Sequence, residues 1–259
     1  MRRIGLIILN YNNYAETNKL LSSVEQFNSL YHIAVVDNKS TDDSFQNLIK
    51  HSDAKVSVIS TKTNDGYASG NNVGAKFLID NFQVEYLMIA NPDVTFEDNV
   101  VERIADFFEA SNLKIGTIAP TMKNNSGEIV KSSWKFPTWL DDAINSTLLL
   151  KWILKVFRPD YQHKISSYQK YRKVDVLAGS LFMIKAKVFE KVGFFDERTF
   201  LYDEENILAM KLKRLGYENI QMLDCYFKHS RSTTISKEKN LVDKYRYYFR
   251  SMMIYHTYY

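Results

Sequence analysis

The chain has 259 residues, of which 45% are hydrophobic and 25% charged, a globular composition that excludes wholesale disorder. With 9 Gly and 4 Pro, collagen-like and linker-rich readings fail. The one cysteine, Cys225, allows neither an internal disulfide nor a cysteine-based zinc site, which fits a reducing compartment. The formal net charge of +4 is unevenly spread: residues 147–173 carry +6 and residues 227–259 carry +5, leaving −7 for the rest. A nucleic-acid binder would carry its positive charge on the main domain, so no nucleic-acid partner is expected. Two basic, aromatic appendages on an acidic body suit contact with an anionic surface. The apolar runs are too short for a membrane span or a signal peptide, so a soluble or peripheral, cytoplasmic protein is expected.

Apolar β-branched runs alternate with helical patterns along the first half. Ile4–Leu9 predicts a buried strand, and from about Tyr14 a helix follows with Thr17, Leu20, Leu21, Val24 and Phe27 on one face. Ile33–Val36 predicts a second strand, and Ser40-Thr41-Asp42-Asp43 a cap for a helix through Phe45, Leu48 and Ile49. Val56–Ile59 predicts a third strand before a helix from Ala68 to Ile79. Tyr86–Ala90 is a fourth, before a helix across Val100, Val101, Ile104, Phe107 and Phe108. In the less regular second half, Ile115–Ala119 and Leu181–Ile184 read as strands and Glu204–Leu215 as a helix. The chain ends in a Tyr-rich helical pattern whose periodicity is still running at Tyr259, so a longer natural chain is expected. Near-continuously apolar strands alternating with helices predict a mostly parallel sheet covered on both faces. Ligands of such sheets bind beyond the carboxyl ends of the strands, which here carry Asn10, Asp37, Asn64-Asp65 and Asn91-Pro92-Asp93.

The common nucleotide and hydrolase devices are missing. No Gly-x-x-x-x-Gly-Lys-Ser/Thr loop, Gly-x-Gly-x-x-Gly turn or Gly-x-Ser-x-Gly elbow occurs, and Asn10-Tyr11-Asn12-Asn13 follows the first strand. A nucleotide would be held by side-chain carboxylates and amides.

The strand-end motifs, in order, are Val35-Val36-Asp37-Asn38-Lys39-Ser40-Thr41-Asp42, Asn64-Asp65-Gly66-Tyr67-Ala68-Ser69-Gly70-Asn71-Asn72 and Asn91-Pro92-Asp93-Val94. Ala178-Gly179-Ser180, Val192-Gly193-Phe194-Phe195-Asp196-Glu197, Phe200-Leu201-Tyr202-Asp203-Glu204-Glu205 and Lys228-His229 follow. Together they resemble the family-two glycosyltransferases, in particular the rhamnosyltransferase-like enzymes of bacterial capsule and O-antigen assembly, from about Arg3 to His229. The resemblance implies an α/β GT-A fold, Rossmann-like, and inverting transfer from a nucleoside diphosphate sugar, with dTDP-rhamnose or a UDP-hexose as candidate donors. The acceptor would be a saccharide or lipid-linked saccharide.

The same resemblance assigns roles. Residues 1–230 would form the catalytic domain, with 1–119 binding the donor and 120–230 the acceptor, and 231–259 a helical extension. Asn10, Tyr11, Asp37, Asn38, Asn64, Asp65, Gly66, Gly70, Asn71, Asn91 and Asp93 would bind the nucleotide sugar. Asp37 can accept ribose or base hydrogen bonds, or it can simply cap the Ser40 turn; Gly70 can admit ligand or serve packing alone. Asp93 and His229 would hold a divalent cation, Mn²⁺ or Mg²⁺, against the diphosphate. Asn91 replaces the first carboxylate of the family's Asp-x-Asp pair, leaving fewer protein charges on the metal, and Asn-Pro-Asp could also be a plain turn. Gly179, Ser180 and Asp203 would face the acceptor. Inversion by single displacement needs one general base, for which Glu205 aligns, with Glu204 as the alternative; acids at a helix N-terminus are also favourable through the macrodipole alone.

Leu149, Trp152, Ile153, Val156 and Phe157, flanked by Lys151, Lys155 and Arg158, predict a basic amphipathic helix, and Leu241, Tyr245, Tyr248, Phe249 and Met252 beside Lys244, Arg246 and Arg250 repeat the theme. Both read either as contacts with an anionic membrane or as core-packed helices with a solvated rim. The aromatic terminal helix also offers a face for pairing two chains. Within the fold the rival activities are a nucleotidyltransferase that makes the activated sugar and a non-catalytic nucleotide-sugar-binding subunit.

Overall fold

The structure is a computed structural model and describes residues 2–146, 169–230 and 241–259. The expected basic helix around Trp152 lies outside the described residues. Nine strands form the main sheet, ordered β3(Val56–Ser60)-β2(His32–Asp37)-β1(Ile4–Asn10)-β4(Tyr86–Ala90)-β10(Leu181–Lys185)-β6(Ile115–Lys123)-β11(Glu218–His229)-β5(Val94–Thr95), with β8(Tyr171–Val174) paired to β11. A small second sheet pairs β7(Ser133–Trp134) with β9(Val176–Leu177). The strands β3, β2, β1 and β4 are mutually parallel, as are β6 and β11, whereas β10 runs antiparallel between β4 and β6. The sheet is therefore mostly but not wholly parallel, and β10 joins residues from both halves of the chain into one layer.

Both faces of the central strands are covered. Ile4, Leu6, Ile7 and Ile8 are each 1% exposed or less, and each side chain so buried contributes roughly 1.5–3 kcal/mol. On one face lie α1(Tyr14–Val24), α2(Ser44–Leu48) and α4(Asp98–Ala110). The expected stripe of α1 is buried at Thr17, Leu20, Leu21 and Val24, while Phe27 packs beyond the helix end. The other face carries α3(Gly66–Phe82), α6(Ala186–Lys191) and α7(Glu204–Arg214). Two further helices, α5(Trp139–Ser146) and α8(Leu241–Tyr258), complete the described elements. No helix among the described residues is long and apolar enough to cross a membrane.

The differences from expectation have local causes. α3 starts two residues early, at Gly66 with φ +94, and runs on to Phe82 until Gln83 turns left-handed at φ +45. The helix expected after Ser40–Asp43 has five residues, and Asp42 Oδ1, one position before the N-cap Asp43, accepts the Ser44 N–H at 3.0 Å in place of a side-chain cap from Asp43. β11 covers 12 residues where the sequence marks no strand of that length, and register shifts against β6 interrupt its pairing.

Candidate active site

The carboxyl ends of β3, β2, β1 and β4 form one edge, with Asn10 opposite Asp37 and Asp37 opposite Ser60. Asn10 is fully buried: its Nδ2 donates to Asp37 Oδ1 (2.8 Å) and Ser40 Oγ (3.1 Å), and its Oδ1 accepts from Thr17 Oγ1 (2.7 Å). Asp37, 1% exposed, also accepts the Ser40 hydroxyl at 2.5 Å and the Ser40 N–H at 3.0 Å. Asp37 thus anchors the Ser40 turn, one of the two roles its position allows, and Oδ2 takes one hydrogen bond among the described residues. Tyr11 is half-buried at the same edge, beside Asn12, whose left-handed backbone donates its N–H to Ser40 Oγ at 2.9 Å.

The 64–67 loop is tied to both neighbours. Asn38 Nδ2 donates to Asn64 Oδ1 (2.9 Å) and to the Gly66 carbonyl (3.1 Å). A Cβ at Gly66 would lie 2.1 Å from the Phe200 carbonyl, which accepts the Tyr67 N–H at 3.0 Å; only glycine fits there. Asp65 is exposed and accepts from Thr63 Oγ1 at 2.5 Å. Gly70 serves packing, since a Cβ would meet Leu9 Cδ1 at 2.4 Å. Asn71 is fully buried within α3, its amide donating to the Tyr67 carbonyl at 2.9 Å, and its Oδ1 has no hydrogen-bond partner among the described residues.

Beyond β4, the Asn91 N–H donates to the Ser180 carbonyl at 2.9 Å, tying the Asn-Pro-Asp turn to the start of β10. Pairing of β5 with the end of β11 sets His229 opposite Val94, and His229 Nε2 comes within 3.1 Å of Asp93 Oδ1. Both side chains are largely buried, at 15% and 11% exposure, and His229 Nδ1 is a buried nitrogen without a hydrogen-bond partner among the described residues. No group of three or more His, Cys, Asp or Glu side chains stands ready for a metal among the described residues. One carboxylate and one imidazole with an orphaned nitrogen fit a cation whose remaining ligands are diphosphate oxygens.

Gly179 joins the carboxylates to this edge. Its N–H donates to Glu205 Oε1 at 3.0 Å, and its carbonyl accepts the Tyr67 hydroxyl at 2.9 Å. The absent Cβ admits the carboxylate, for a Cβ would sit 2.6 Å from Glu205 Oε1. Burial pushes the Glu205 carboxyl up from its ordinary value, opposed by its own amide and by Gly179. Glu204, 3% exposed with Oε1 unpartnered, is pushed well above it, first by desolvation and then by the Glu205 charge. Burial thus raises both carboxyls, and the Gly179 N–H favours the charged form of Glu205. Asp203 is pushed up to about 6 by desolvation, although Asn206 Nδ2 donates to its Oδ1 at 2.6 Å and Trp134 Nε1 fixes Asn206 Oδ1 at 2.8 Å. Tyr202 and Asp203 are consecutive left-handed residues, φ +75 and +64, a conformation that costs of order 1–3 kcal/mol each. Ser180 is buried with its hydroxyl unpartnered.

These contacts bring Asn10, Asp37, Asn38, Asn64, Gly66, Asn91, Asp93, Gly179, Glu205 and His229 together at the carboxyl-end edge of the sheet, with Asn71 and Gly70 buried in α3. Sequence reasoning missed Tyr67 and the Phe200 carbonyl as connectors. Their signal was a glycine at a helix start followed by an aromatic residue able to reach across the edge. An open cavity of about 340 Å³, bordered by Asn72, Lys76, Asp196, Arg198, Lys211 and Tyr259, lies apart from these residues.

A family profile described as "Glycosyl transferase family 2" matches residues 6–193. The low-salt glycan biosynthesis hexosyltransferase Agl10 of Haloferax volcanii is 28% identical over 222 residues, 86% of this chain and 64% of that protein. The N-acetylglucosaminyl-diphospho-decaprenol L-rhamnosyltransferase of Mycobacterium tuberculosis is 23% identical over 155 residues, 60% of this chain and 50% of that protein. The chain thus spans less than two thirds of these relatives. Among solved structures, GalNAc-T7 with UDP, GalNAc and Mn²⁺ superposes with a TM-score of 0.66 at 13% identity, covering 92% of this chain and 45% of that one. S. aureus TarS with UDP-GlcNAc gives 0.62 at 16% identity, covering 98% and 65%. The mannosyltransferase PcManGT of Pyrobaculum calidifontis with GDP-Man and Mn²⁺ gives 0.60 at 16% identity, covering 90% and 59%. With the strand order and helix layers described above, these likenesses establish the GT-A fold, and the profile match across most of the chain makes it a member of glycosyl transferase family 2.

Proposed function

We propose that the protein is an inverting glycosyltransferase that moves a sugar from a nucleoside diphosphate sugar to a saccharide or lipid-linked saccharide. The observation that carries this reading is the Glu205 carboxylate held by the Gly179 N–H at the strand-end edge that also bears Asp93 and His229. Glu205 Oε1 is taken by Gly179, which leaves Oε2 to receive the proton of the acceptor hydroxyl as that oxygen attacks the anomeric carbon. The bond to the diphosphate breaks on the opposite face, so the configuration inverts. Asp93 and His229 would hold the divalent cation, Mn²⁺ or Mg²⁺, which neutralises charge on the departing diphosphate. Asn38 and Asn64, with the Gly66 backbone, would border the nucleoside.

The names of the two relatives support a hexosyl or rhamnosyl donor and a lipid-linked glycan acceptor, as in surface polysaccharide assembly. Lys244, Arg246 and Arg250 on α8 support peripheral contact with anionic lipid at the cytoplasmic membrane face, which vesicle flotation tests by its salt dependence. The decisive experiment is Glu205→Gln in an assay of nucleoside diphosphate release with acceptor. Turnover should fall roughly 10²–10⁴-fold while donor affinity is retained. Wild-type turnover in that variant removes Glu205 from the mechanism. Donor binding without any turnover in the parent would instead mark a binding subunit.

A further inference from the structure

Resting on the assignment of Glu205 as base, we propose that α8 is a positioning element for that base, gripping the left-handed segment that leads into it. Three successive residues of the segment are held. The Tyr247 ring stacks on Phe200 with centroids 4.5 Å apart and planes 19° from parallel. The Ser251 hydroxyl donates to the Leu201 carbonyl at 2.9 Å, and Tyr248 meets Tyr202 edge-on at 6.2 Å. The last of these, Tyr202, and the next residue, Asp203, are both at positive φ, and Glu204 and Glu205 follow. Two consecutive left-handed residues without glycine persist only where their surroundings over-determine them. α8 supplies that surrounding from one side.

The other side of the segment is the donor loop. The Phe200 carbonyl accepts the Tyr67 N–H, and the Phe200 backbone fills the space that a Gly66 side chain would need. One residue therefore carries the grip of Tyr247 on its ring and the seating of the 64–67 loop on its carbonyl. The helix is fastened independently of these contacts. Met252 and Tyr255 are buried, Tyr248 Oη donates to Asp142 Oδ1 at 3.1 Å, and His256 Nε2 lies 2.7 Å from Asp142 Oδ2 with Trp139 stacked on its ring. Ser251 and Tyr247 can thus be altered while the helix stays docked.

The test uses the full chain with Ser251→Ala, Tyr247→Ala and the conservative Tyr247→Phe. Hydrogen–deuterium exchange is followed over residues 200–206, and turnover is followed as nucleoside diphosphate release. The two alanine variants should exchange faster across that segment. They should also lose at least about tenfold in kcat with a smaller change in donor KM, the pattern of a misplaced reacting group. Tyr247→Phe keeps the stacked ring and should restore both. Unchanged exchange in both alanine variants overturns the grip. Faster exchange with kcat within about twofold of the parent overturns its catalytic consequence, because a helix that only stabilised the fold would leave turnover per folded molecule intact. If Glu205→Gln turns over normally, the assignment of the base is what fails, and exchange alone then decides whether α8 holds the segment.

Discussion

Gly179→Ala isolates the placement of Glu205 without touching its chemistry. The new methyl would lie 2.6 Å from Glu205 Oε1, 3.0 Å from its Cγ and 3.1 Å from its Cδ. Restoring ordinary contact at 3.4 Å moves the carboxylate oxygen by about 0.8 Å, and the contacts with Cγ and Cδ require the rest of the side chain to shift with it. A misplacement of about 1 Å costs on the order of 10² in rate, so kcat should fall roughly 10–100-fold, or about 1.4–2.7 kcal/mol. Donor affinity should stay within about twofold, since the loop at 64–67 is held by Asn38 and Phe200. The assay pairs initial rates of nucleoside diphosphate release with equilibrium binding of the nucleoside diphosphate, and thermal unfolding verifies that the variant is folded. A folded Gly179→Ala protein with parental kcat refutes the reasoning, because the carboxylate cannot both move and remain productive.

Other substitutions probe the neighbouring parts. Gly66→Ala forces a side chain onto the Phe200 carbonyl at positive φ and should cost at least about 1–3 kcal/mol in denaturant unfolding; an unchanged midpoint contradicts the close approach. Asp203 is raised from 3.8 to about 6, so the native state binds the proton more tightly than the unfolded chain, and stability falls as pH rises from about 4 through 6. Asp203→Asn, a residue tolerant of left-handed backbone, should remove that pH dependence and stabilise by about 2 kcal/mol at pH 8, measured by urea unfolding at pH 5 and 8. Equal pH profiles for parent and variant would exclude a buried, raised carboxyl at 203. Asp93→Ala should weaken Mn²⁺-dependent donor binding by about tenfold or more in metal titrations, with little effect on metal-free binding; parental titrations would move the cation elsewhere.

The sequence by itself determined the first four parallel strands, their covering helices and the polar residues at the strand tips. Local physics suffices for these: apolar runs of period-free pattern, helical stripes such as Leu20-Leu21-Val24, and ordered strand-end motifs each lie within a few residues of chain. Tertiary structure alone decided three things. The first is the antiparallel insertion of β10 between β4 and β6, which rests on a pairing across some 90 residues of sequence. The second is the difference between Glu204 and Glu205, adjacent and chemically alike, of which one has a buried Oε1 without a partner among the described residues and the other is reached by Gly179 from the turn between β9 and β10. The third is the meeting of Asp93 with His229, made by two-residue pairing of β5 against β11. α8 likewise packs partly inward, one of the two readings its sequence allowed, burying Met252 while Tyr247 and Ser251 meet the ring of Phe200 and the carbonyl of Leu201. Such outcomes depend on which distant backbone comes within 3 Å of which carboxylate, and no window along the chain contains that information.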